Sequence, residues 1–423
     1  MFGLIFFFSL FLSFFVLFCV EGEGNGEMHD TMMMMMMTAN SLNAHVYHDN
    51  LLLFSGLFTD RLWWLNLSSF CWHEEVCSGV FPPPTRLHAT ALSGSRFYVS
   101  GGESTSIDTS CAKTNALEHD LLEVFFIDLQ DLEWGTVACE WKPRNRAHHT
   151  MNAVENSLIV FGGKPLLGEV TSYEVREMLT SGFYAIHVLD TLTGLWRVFS
   201  QALFPALWGH TVHMLNSSAI VIYGGFETTL ETDENGEEMP TVAINNYIGF
   251  LNCKSLEYYQ APTRVPGRAL HQSHVCGNNL CVIGGISVDE SSLDLVQKRD
   301  AFEVSLITFE TSPMAFFLQN WPSEHLVSVV YNQQLIVLNT MHDIFVQRMA
   351  SGEPWKRYRC DPSALNTAPL PNIAFAKNKQ TGEGTEGGTH IMPISLDGPL
   401  SRPSISPILL KTLSRLGYLL ADI

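Results

Sequence analysis

Sixteen histidines make metal binding the first chemistry to consider in this 423-residue chain. Several are adjacent or three residues apart, among them His148 with His149, His210 with His213, and His271 with His274. On a β-strand, both spacings turn the two side chains to opposite faces. A metal site requires ligands that converge on one point. We therefore predict no metal site.

Four histidines recur with a regular period. His88, His149, His210 and His271 are evenly spaced along the chain. A residue that repeats with the period of the chain is expected to serve the repeated fold. We predict that these four histidines are structural.

Three arginines lie two or three residues before these histidines, at Arg86, Arg146 and Arg268. A guanidinium group can bind a carboxylate through two parallel hydrogen bonds. The three arginines are therefore candidates for binding a carboxylate or an acidic peptide of a partner. The alternative is that they pair with backbone or acidic groups within the fold.

Glu231, Asp233 and Glu234 are candidates for binding a basic partner. They lie in a strongly acidic segment, residues 227–238, which also contains Glu227, Glu237 and Glu238. A solvated, flexible loop is the alternative interpretation, and it is the more common one for such a run of charge.

No arrangement of residues indicates catalysis. The chain contains neither the Gly-x-Ser-x-Gly motif of a nucleophilic serine nor the Gly-x-x-x-x-Gly-Lys motif of a phosphate-binding loop. We predict that the protein is not an enzyme, with no catalytic residues and no cofactor.

A repeated pattern indicates the elements that position these residues. Apolar, β-forming runs end in two glycines, and these diglycines recur at a nearly constant interval: Gly101-Gly102, Gly162-Gly163, Gly224-Gly225 and Gly284-Gly285. An Asp or Asn is followed six residues later by an aromatic residue in Asn66/Trp72, Asp128/Trp134, Asp190/Trp196 and Asn252/Tyr258. The runs before and after each turn predict four strands per repeat.

In this pattern the chain resembles the kelch-repeat family of β-propellers. The best match runs from Arg146-Ala147-His148-His149-Thr150 through Phe161-Gly162-Gly163 to Trp196. The resemblance implies one four-stranded blade per repeat. Two weaker copies flank the four clear ones, from His45 to Trp72 and from Val327 to Trp355. We therefore predict an all-β fold, a six-bladed kelch-type β-propeller with a short C-terminal extension.

The predicted propeller spans residues 40–360, with blades at about 40–78, 84–140, 144–201, 205–262, 266–318 and 323–360. The fifth copy departs from the pattern because Trp321 lies far beyond its third strand, near residues 302–308. A hydrophobic leader, residues 1–22, precedes the propeller, and a linker with a short helical tail, residues 361–423, follows it. Leucines at helical spacing between Ile408 and Leu420 predict the tail helix.

Long connections predict where a partner binds. Residues 103–122, 164–182, 226–246 and 286–301 form long connections between second and third strands, whereas the first-to-second turns are only a few residues long. Long connections on one face of a repeat protein often form its binding face. In a propeller the three arginines would lie at that face. We predict a non-enzymatic interaction module that binds a protein or peptide there. An oxidase-like enzyme using the propeller mouth is the alternative, since some kelch-like propellers are copper radical oxidases.

The formal net charge of −19 argues against nucleic acid as a partner, because nucleic-acid binding needs a basic surface. A basic or neutral protein partner is favoured. We expect the protein to be a monomer.

The N-terminal segment leaves three locations open. Residues Phe2 to Val20 form an uncharged apolar run followed by Glu21, which predicts a cleaved secretory signal and a secreted protein. The run lacks a basic start and is long enough to cross a bilayer, so a membrane anchor is the second interpretation. In the third, translation starts within Met32 to Met37, the leader is an artefact of a mis-joined exon and the protein is cytoplasmic.

Secretion would permit disulfides and glycans. Eight cysteines remain after Cys19; Cys276 and Cys281 flank a predicted turn, and Cys111 and Cys139 lie in loops of one face. Ordinary buried thiols are the alternative. Two glycosylation sequons begin at Asn66 and Asn216.

Overall fold

The structure, a computed structural model, describes residues 42–104, 121–166, 172–200, 204–289, 291–314, 327–338, 343–348 and 355–359. In these residues, six antiparallel four-stranded sheets follow one another along the chain. The predicted leader, residues 1–22, and the predicted linker and helical tail, residues 361–423, lie outside the described residues. No helix within the described residues is long and apolar enough to cross a membrane.

The first two sheets occupy residues 42–136. The first consists of β1 Leu42–Tyr47, β2 Asn50–Ser55, β3 Arg61–Asn66 and β4 Trp72–Val76. The chain continues through β5 Ser78–Gly79, β6 Thr85–Arg86, β7 Ala89–Ser93, β8 Arg96–Ser100, β9 Glu103–Ser104, β10 Val124–Asp128 and β11 Glu133–Thr136. The second sheet has the order β7-β8-β10-β11, and β5 adds to its outer edge in parallel with β11. The short strands β6 and β9 pair separately.

The third and fourth sheets carry additional elements in their long connections. The third consists of β12 Thr150–Val154, β13 Ser157–Phe161, β14 Ile186–Asp190 and β15 Leu195–Phe199, with helix α1 Ser172–Thr180 between β13 and β14. Next come β16 Leu207–Trp208, β17 Thr211–Asn216, β18 Ala219–Tyr223, β19 Phe226–Thr232, β20 Glu238–Ile244, β21 Ile248–Asn252 and β22 Tyr258–Gln260. The fourth sheet has the order β17-β18-β21-β22, and β16, β19 and β20 form a ribbon of their own.

The fifth and sixth sheets complete the series. Their strands are β23 Gln272–Cys276, β24 Asn279–Ile283, β25 Ile286–Val288, β26 Leu295–Gln297, β27 Ala301–Ser305, β28 Thr311–Pro313, β29 Val327–Tyr331, β30 Gln334–Leu338, β31 Asp343–Arg348 and β32 Lys356–Arg359. The fifth sheet has the order β23-β24-β27-β28, with β25 and β26 as a separate hairpin, and the sixth has the order β29-β30-β31-β32.

Successive sheets pack face to face through alternate residues of their second strands. In β2, Leu52 and Phe54 face the second sheet, where they contact Phe97 and Trp134. Leu51 and Leu53 share a hydrophobic cluster with Val329 and Ile336 of the sixth sheet. Strands covered on both faces are expected to be continuously apolar rather than alternating. This explains why each diglycine follows an uninterrupted apolar run.

The first strands of the six sheets lie side by side in chain order, and β1 of the first sheet also contacts β29 of the sixth. Polar side chains of neighbouring first strands form hydrogen bonds with one another. The Nε2 atom of His45 lies 2.8 Å from Thr90 Oγ1, and that of His213 lies 2.7 Å from Ser273 Oγ. The contacts between neighbouring first strands are therefore partly polar, unlike the apolar contacts between the sheet faces.

The diglycine and the periodic histidine form the seams between the second and third, third and fourth, and fourth and fifth sheets. A Cβ on Gly101 would lie 2.6 Å from Cε1 of His149, in the next repeat, and Gly102 would meet Cβ of His88, in its own repeat, at 3.0 Å. Both glycines have positive φ, 64° and 97°. Gly102 N also donates to Arg146 O across the seam, at 2.9 Å. Only glycine allows the backbones to approach this closely.

The turn between third and fourth strands repeats even where its sequence changes. In the third sheet, Oδ1 of Asp190 accepts hydrogen bonds from Leu192 N and Thr193 N, at 2.9 and 3.1 Å. In the fifth sheet the Ser305 hydroxyl takes this role and accepts from Thr308 N at 3.1 Å. The fourth strand then starts six residues after Ser305, at Thr311. The fifth repeat has therefore replaced both signature residues, and its fourth strand ends before Trp321.

Candidate partner-binding face

The long connections fold into regular elements that belong to one surface, named here the long-loop face. It consists of α1 in the third repeat, the β19–β20 hairpin in the fourth and the β25–β26 hairpin in the fifth. The turns between first and second strands are short; Val154 and Ser157, for example, pair directly across two residues. Residues 105–120 of the second repeat lie outside the described residues.

Arg146 is fully buried beneath the long connection of the third repeat. Its Nη1 donates to the carbonyl oxygens of Gly162 and Phe183, at 3.1 and 2.8 Å. Its guanidinium carbon lies 4.3 Å from the centre of the Phe183 ring. Burial lowers the pKa of Arg146 to about 9. Arg146 thus joins both ends of the connection, and its 0% exposure leaves no surface for a partner.

Arg268 holds the corresponding connection of the fifth repeat. Its Nη2 lies 2.7 Å from each carboxylate oxygen of Asp300, the residue before β27. The guanidinium carbon is 5.2 Å from the centre of the Phe302 ring. Like Arg146, Arg268 is buried. Both arginines therefore fit the alternative considered from the sequence, in which they pair with groups within the fold.

Arg86 is the accessible member of the three. Its side chain is 41% exposed, and Nη2 lies 3.1 Å from Glu103 Oε2. The other Glu103 oxygen lies 3.2 Å from Lys164 Nζ. Burial alone would raise the pKa of Glu103, but Lys164 and Arg86 lower it below its ordinary value. Two cations thus share one carboxylate, which leaves an excess of one positive charge.

An aromatic group adjoins these charges. Lys164 Nζ lies 5.8 Å from the centre of the Trp208 ring, and the Trp208 ring stacks on Phe226 at a centroid distance of 4.3 Å. The His148 ring lies 5.6 Å from Trp208 on another side. Burial, followed by the Lys164 charge, lowers the pKa of His148 to about 4, so this imidazole is neutral at pH 7. We name Arg86, Glu103, His148, Lys164 and Trp208 the mouth cluster.

Sequence reasoning missed Lys164 and Trp208, although a signal for Trp208 was present. The fourth repeat is the one clear copy without the periodic arginine. Trp208 lies two residues before His210, as Arg86 lies two residues before His88. The absence of the periodic arginine from the fourth repeat therefore distinguished position 208 in the sequence.

The acidic segment, residues 227–238, belongs to a β-hairpin; the expectation of a flexible loop was wrong. Seven residue pairs join β19 to β20, from Phe226 with Ile244 to Thr232 with Glu238. Asp233 closes the turn by accepting hydrogen bonds from Asn235 N and Glu237 N, at 2.9 and 2.8 Å. Most of the acidic segment is thus part of paired strands or of the turn that joins them.

The structure separates the acidic candidates by their partners. Glu238 bonds Arg176 of α1 at 3.0 Å, and Glu227 accepts from Asn245 Nδ2 at 3.2 Å. Asp233 serves the turn, while Glu231 and Glu234 are exposed on the hairpin. The hairpin and the mouth cluster are connected through Phe226. Partner binding by Glu231, Asp233 and Glu234 stays a prediction, as it does for Arg86.

Exposed apolar side chains occur on all three elements of the long-loop face. They are Tyr173 on α1 at 73% exposure, Met239 and Val242 on the β19–β20 hairpin at 53% and 55%, and Leu293 and Leu295 on the β25–β26 hairpin at 76% and 54%. Scattered exposed apolar residues are common, but clustering on projecting elements is typical of interaction surfaces.

The four periodic histidines are buried and hydrogen-bonded to neighbouring repeats. Nε2 of His88, His149, His210 and His271 lies 2.8 to 3.1 Å from Asn43, Ser100, Thr150 and Thr211, respectively. Each histidine thus links two sheets. Among the described residues, no group of three or more His, Cys, Asp or Glu side chains is arranged to hold a metal.

The described cysteines are free thiols. Cys276 pairs with Asn279 across the hairpin, while Cys281 pairs with His274, so the two cysteines are diagonal rather than opposite. Cys77 and Cys139 occupy equivalent positions, beside the indoles of Trp134 and Trp196. Burial raises the pKa of Cys77 to about 12. Cys111 lies outside the described residues.

Both sequon asparagines are engaged in turns. Asn66 Nδ2 donates to Asn50 Oδ1 at 3.1 Å, and Asn216 Oδ1 accepts from Ser218 N at 2.7 Å. Nδ2 of Asn216 is buried. A glycan at Asn216 would therefore require this side chain to leave its turn.

The architecture and periodic seams agree with the comparison against known families. A model of the KLHDC2/KLHL20/DRC7 Kelch-repeats domain matches residues 41–285, more than half of the chain. The chain belongs to this kelch-repeat family. The resemblance inferred from the diglycines and Trp196 is confirmed. Kelch-repeat domains are typically protein-interaction domains, and this protein's kelch homologues are mainly non-enzymatic.

Three curated proteins match part of this chain. Host cell factor of Drosophila melanogaster is 29% identical over 123 residues, 27% of this chain and 8% of that protein. Dynein regulatory complex subunit 7 of Chlamydomonas reinhardtii is 29% identical over 118 residues, 27% of this chain and 9% of that protein. Tip elongation aberrant protein 1 of Schizosaccharomyces pombe is 25% identical over 193 residues, 43% of this chain and 15% of that protein. The matches thus span only a small part of these relatives.

A solved structure with a similar fold is described as "Structure of YjhT". It superposes with a TM-score of 0.54 at 14% sequence identity and covers 76% of this chain and 98% of that chain. At this identity the similarity concerns the fold alone. It supports an all-β, propeller-like architecture for this kelch-repeat chain.

Proposed function

We propose that this kelch-repeat protein is a closed six-bladed propeller that binds a protein or peptide partner through its long-loop face. The observation that carries this function is the contrast between its two faces. One bears a helix and two hairpins with exposed apolar side chains, and the other bears short turns, of two residues between first and second strands and four or five between third and fourth strands where the structure describes them. Burial of these exposed apolar side chains by a partner would be energetically favourable, which makes the elements that carry them a candidate binding surface.

Closure of the ring is supported by the contacts of its two ends. Trp63 and Leu65 of the first sheet share a buried cluster with Ile336 and Ile344 of the sixth. Tyr331 of the sixth sheet donates a hydrogen bond to Asp49 of the first. The same kind of buried cluster lies between each other pair of successive sheets. A rigid ring would present the long-loop face as one surface.

The mouth cluster supplies polar recognition in this proposal. Arg86 and Lys164 can each release a bond to Glu103 and bind a carboxylate of the partner instead. Trp208 offers a half-buried aromatic surface beside them, and aromatic residues with arginine are typical centres of binding energy. Exposed Glu231 and Glu234 on the hairpin would attract basic groups at the rim. The partner is therefore a protein segment with both apolar and charged side chains.

A shortened hairpin tests the proposed function. Thr228 and Val242 are direct partners across β19 and β20, so an Asn-Gly turn can replace residues 229–241. This change removes Met239 and the acidic tip but keeps the stacking of Phe226 on Trp208. The fold should survive, because surface loops tolerate changes in length. We expect cross-linking and mass spectrometry to recover partners with the full chain and to lose them with the shortened variant.

Leu192→Glu provides the control, because Leu192 is 71% exposed on the turn before β15, at the opposite face. It should keep the partners that the full chain binds. Recovery of the same partners by the shortened variant would show that recognition occurs elsewhere.

We also propose that the protein enters the secretory pathway. The support is the apolar run from Phe2 to Val20, followed directly by Glu21. N-terminal sequencing of protein expressed in a eukaryotic cell should find a start near Glu21 to Glu23. A start within Met32 to Met37 would instead place the protein in the cytoplasm.

A further inference from the structure

The outer edges of the six sheets differ in how they are protected. An edge strand presents unpaired N–H and C=O groups that can pair with another chain. Natural proteins protect such edges by covering them, by charge, by proline or by keeping the strand short. An edge without any of these features is available for strand addition.

Five edges among the described residues have such protection. β11 is covered by β5, β22 has three residues, and β28 contains Pro313. The other two are charged, with Glu74 and Glu75 in β4 and Lys356, Arg357 and Arg359 in β32.

The sixth edge, β15, lacks these protections. It has five residues, of which one is charged, Arg197. Leu195 and Val198 are 57% and 43% exposed. In the described part of the chain, β15 pairs with β14 alone. Apolar surface and free backbone groups thus coincide on this strand.

The second sheet shows what fits such an edge. Ser78 N donates to Leu132 O at 3.0 Å, and Val80 N donates to Trp134 O at 2.9 Å, so the segment runs parallel to β11. Gly79 has a φ of +95°, and a Cβ there would lie 2.8 Å from Trp134 N and closer still to its carbonyl oxygen. A glycine is therefore required where the added strand crosses the tryptophan.

The chain does not repeat this arrangement in the third sheet. Trp196 follows Trp134 by one repeat, and at the same distance after Gly79 the chain carries Trp141. A tryptophan cannot take the place of that glycine. Trp141 is instead 53% exposed, and the following residue, Lys142, forms an ion pair with Glu123, the residue before β10. Trp134 is 2% exposed beneath the added strand, whereas Trp196 is only partly buried.

We propose that β15 binds an extended segment of a partner protein by β-strand addition. The segment runs parallel to β15 and has a glycine beside Trp196, flanked by small or apolar residues, as in Ser78-Gly79-Val80. It begins beyond Cys139, because Ala138 and Cys139 already lie against Gly194 at the start of this edge. Backbone hydrogen bonds and the alternate side chains would supply the binding energy. Symmetrical pairing with a second copy is disfavoured, because an antiparallel pair centred on Arg197 would oppose two like charges. This surface is separate from the long-loop face.

The probe is a fluorescently labelled peptide, Ser-Gly-Val-Phe, which has the sequence of residues 78–81. We expect saturable binding to the full chain by fluorescence polarisation. Val198 corresponds to Thr136 of β11. At this strand position the backbone N–H and C=O groups point away from the neighbouring strand of the sheet, toward the open edge. Val198→Lys places a charge on this edge and should weaken binding at least tenfold.

Two controls accompany that variant. Leu192→Lys adds the same charge to an exposed turn outside the edge and should leave binding unchanged. A peptide with valine in place of the glycine should bind at least tenfold more weakly to the unmodified protein. Because the protein is unchanged in this experiment, its result does not depend on whether a protein variant folds.

Three results would overturn the proposal. They are the absence of saturable binding, equal binding by the Val198→Lys protein, and a dimer in sedimentation that Val198→Lys dissociates. The last result would assign the edge to a second copy. Loss of partners after hairpin shortening reports on the other surface, so failure of either proposal can be recognised separately.

Discussion

At the residue scale, two adjacent motif positions serve different purposes, one three residues before the periodic histidine (Arg146, Arg268) and one two residues before it (Arg86, Trp208). Arg146 and Arg268 are buried and hold the ends of long connections, whereas Arg86 remains accessible in the mouth cluster. The fourth repeat places Trp208 at the position of Arg86. Arg146 and Arg268 would therefore affect binding indirectly, through the position of the connections.

This difference predicts unequal effects for two alanine variants. Arg146→Ala leaves the carbonyls of Gly162 and Phe183 without their donor and creates a cavity, which should reduce the free energy of unfolding by about 3 kcal/mol or more. Arg86→Ala removes a half-exposed ion pair and should change it by less than about 1 kcal/mol. Urea unfolding measures both effects. If the long-loop face binds the partner, Arg86→Ala should also weaken capture. Equal destabilisation by the two variants would contradict the assigned roles.

At the element scale, the seam between sheets depends on close backbone approach. Three of the four diglycines, those starting at Gly101, Gly162 and Gly224, lie between the histidine of their own repeat and that of the next, and a hydrogen bond crosses the seam at Gly102. Residue types within the seam vary little from repeat to repeat, because the closely packed backbones leave no space for larger side chains. The turns tolerate more variation, since Ser305 substitutes for Asp or Asn as an acceptor.

We predict a large difference between two Gly→Ala variants with the same sign of φ. Gly101 has a φ of +64°, and a Cβ added there would lie 2.6 Å from two atoms of the next repeat, whereas Gly94 has a φ of +57° and open space around it. Gly94→Ala should lower the free energy of unfolding by about 1 kcal/mol through backbone strain alone. Gly101→Ala adds a clash between sheets and should lower it by about 3 kcal/mol or more. Chemical denaturation of both variants tests the seam, and similar losses would refute it.

At the scale of the whole molecule, buried neutral histidines should make the protein sensitive to acid. Burial lowers the pKa of His88 to about 4 and those of His210 and His271 to about 3, and it lowers the pKa of His149 as well. In the unfolded chain these imidazoles titrate near pH 6.5. The unfolded state therefore binds more protons below pH 6.5, and stability falls as pH falls.

The predicted window begins at about pH 6.5 and extends toward the folded-state values. Below pH 6.5, each histidine should contribute a slope of up to about 1.4 kcal/mol per pH unit. Urea unfolding at pH 7.5, 6 and 5 measures the total slope. His210→Gln should reduce the number of protons taken up on unfolding by about one, and the slope should fall accordingly. This holds whatever the effect of the variant on stability at pH 7.5. A slope that does not change in this variant would contradict neutral burial of His210.

The sequence by itself determined the repeat, its strand order within each sheet and the structural role of the periodic histidines. These properties follow from local patterns, because strand-forming runs, diglycines and turn residues act within a single repeat and its neighbour. The fourth strand of the fifth repeat was harder to place, since Ser305 and Thr311 keep the turn geometry without the expected residue types.

Only the tertiary structure decided which candidate side chains are accessible. Arg146 and Arg86 occupy similar positions in the sequence, but Phe183 at the end of one long connection buries Arg146, while Glu103 and Lys164 leave Arg86 partly exposed. The mouth cluster likewise unites residues of three repeats. Burial and charge pairing depend on neighbours that are distant in sequence, so a periodic pattern does not show which arginine holds a loop and which stays accessible.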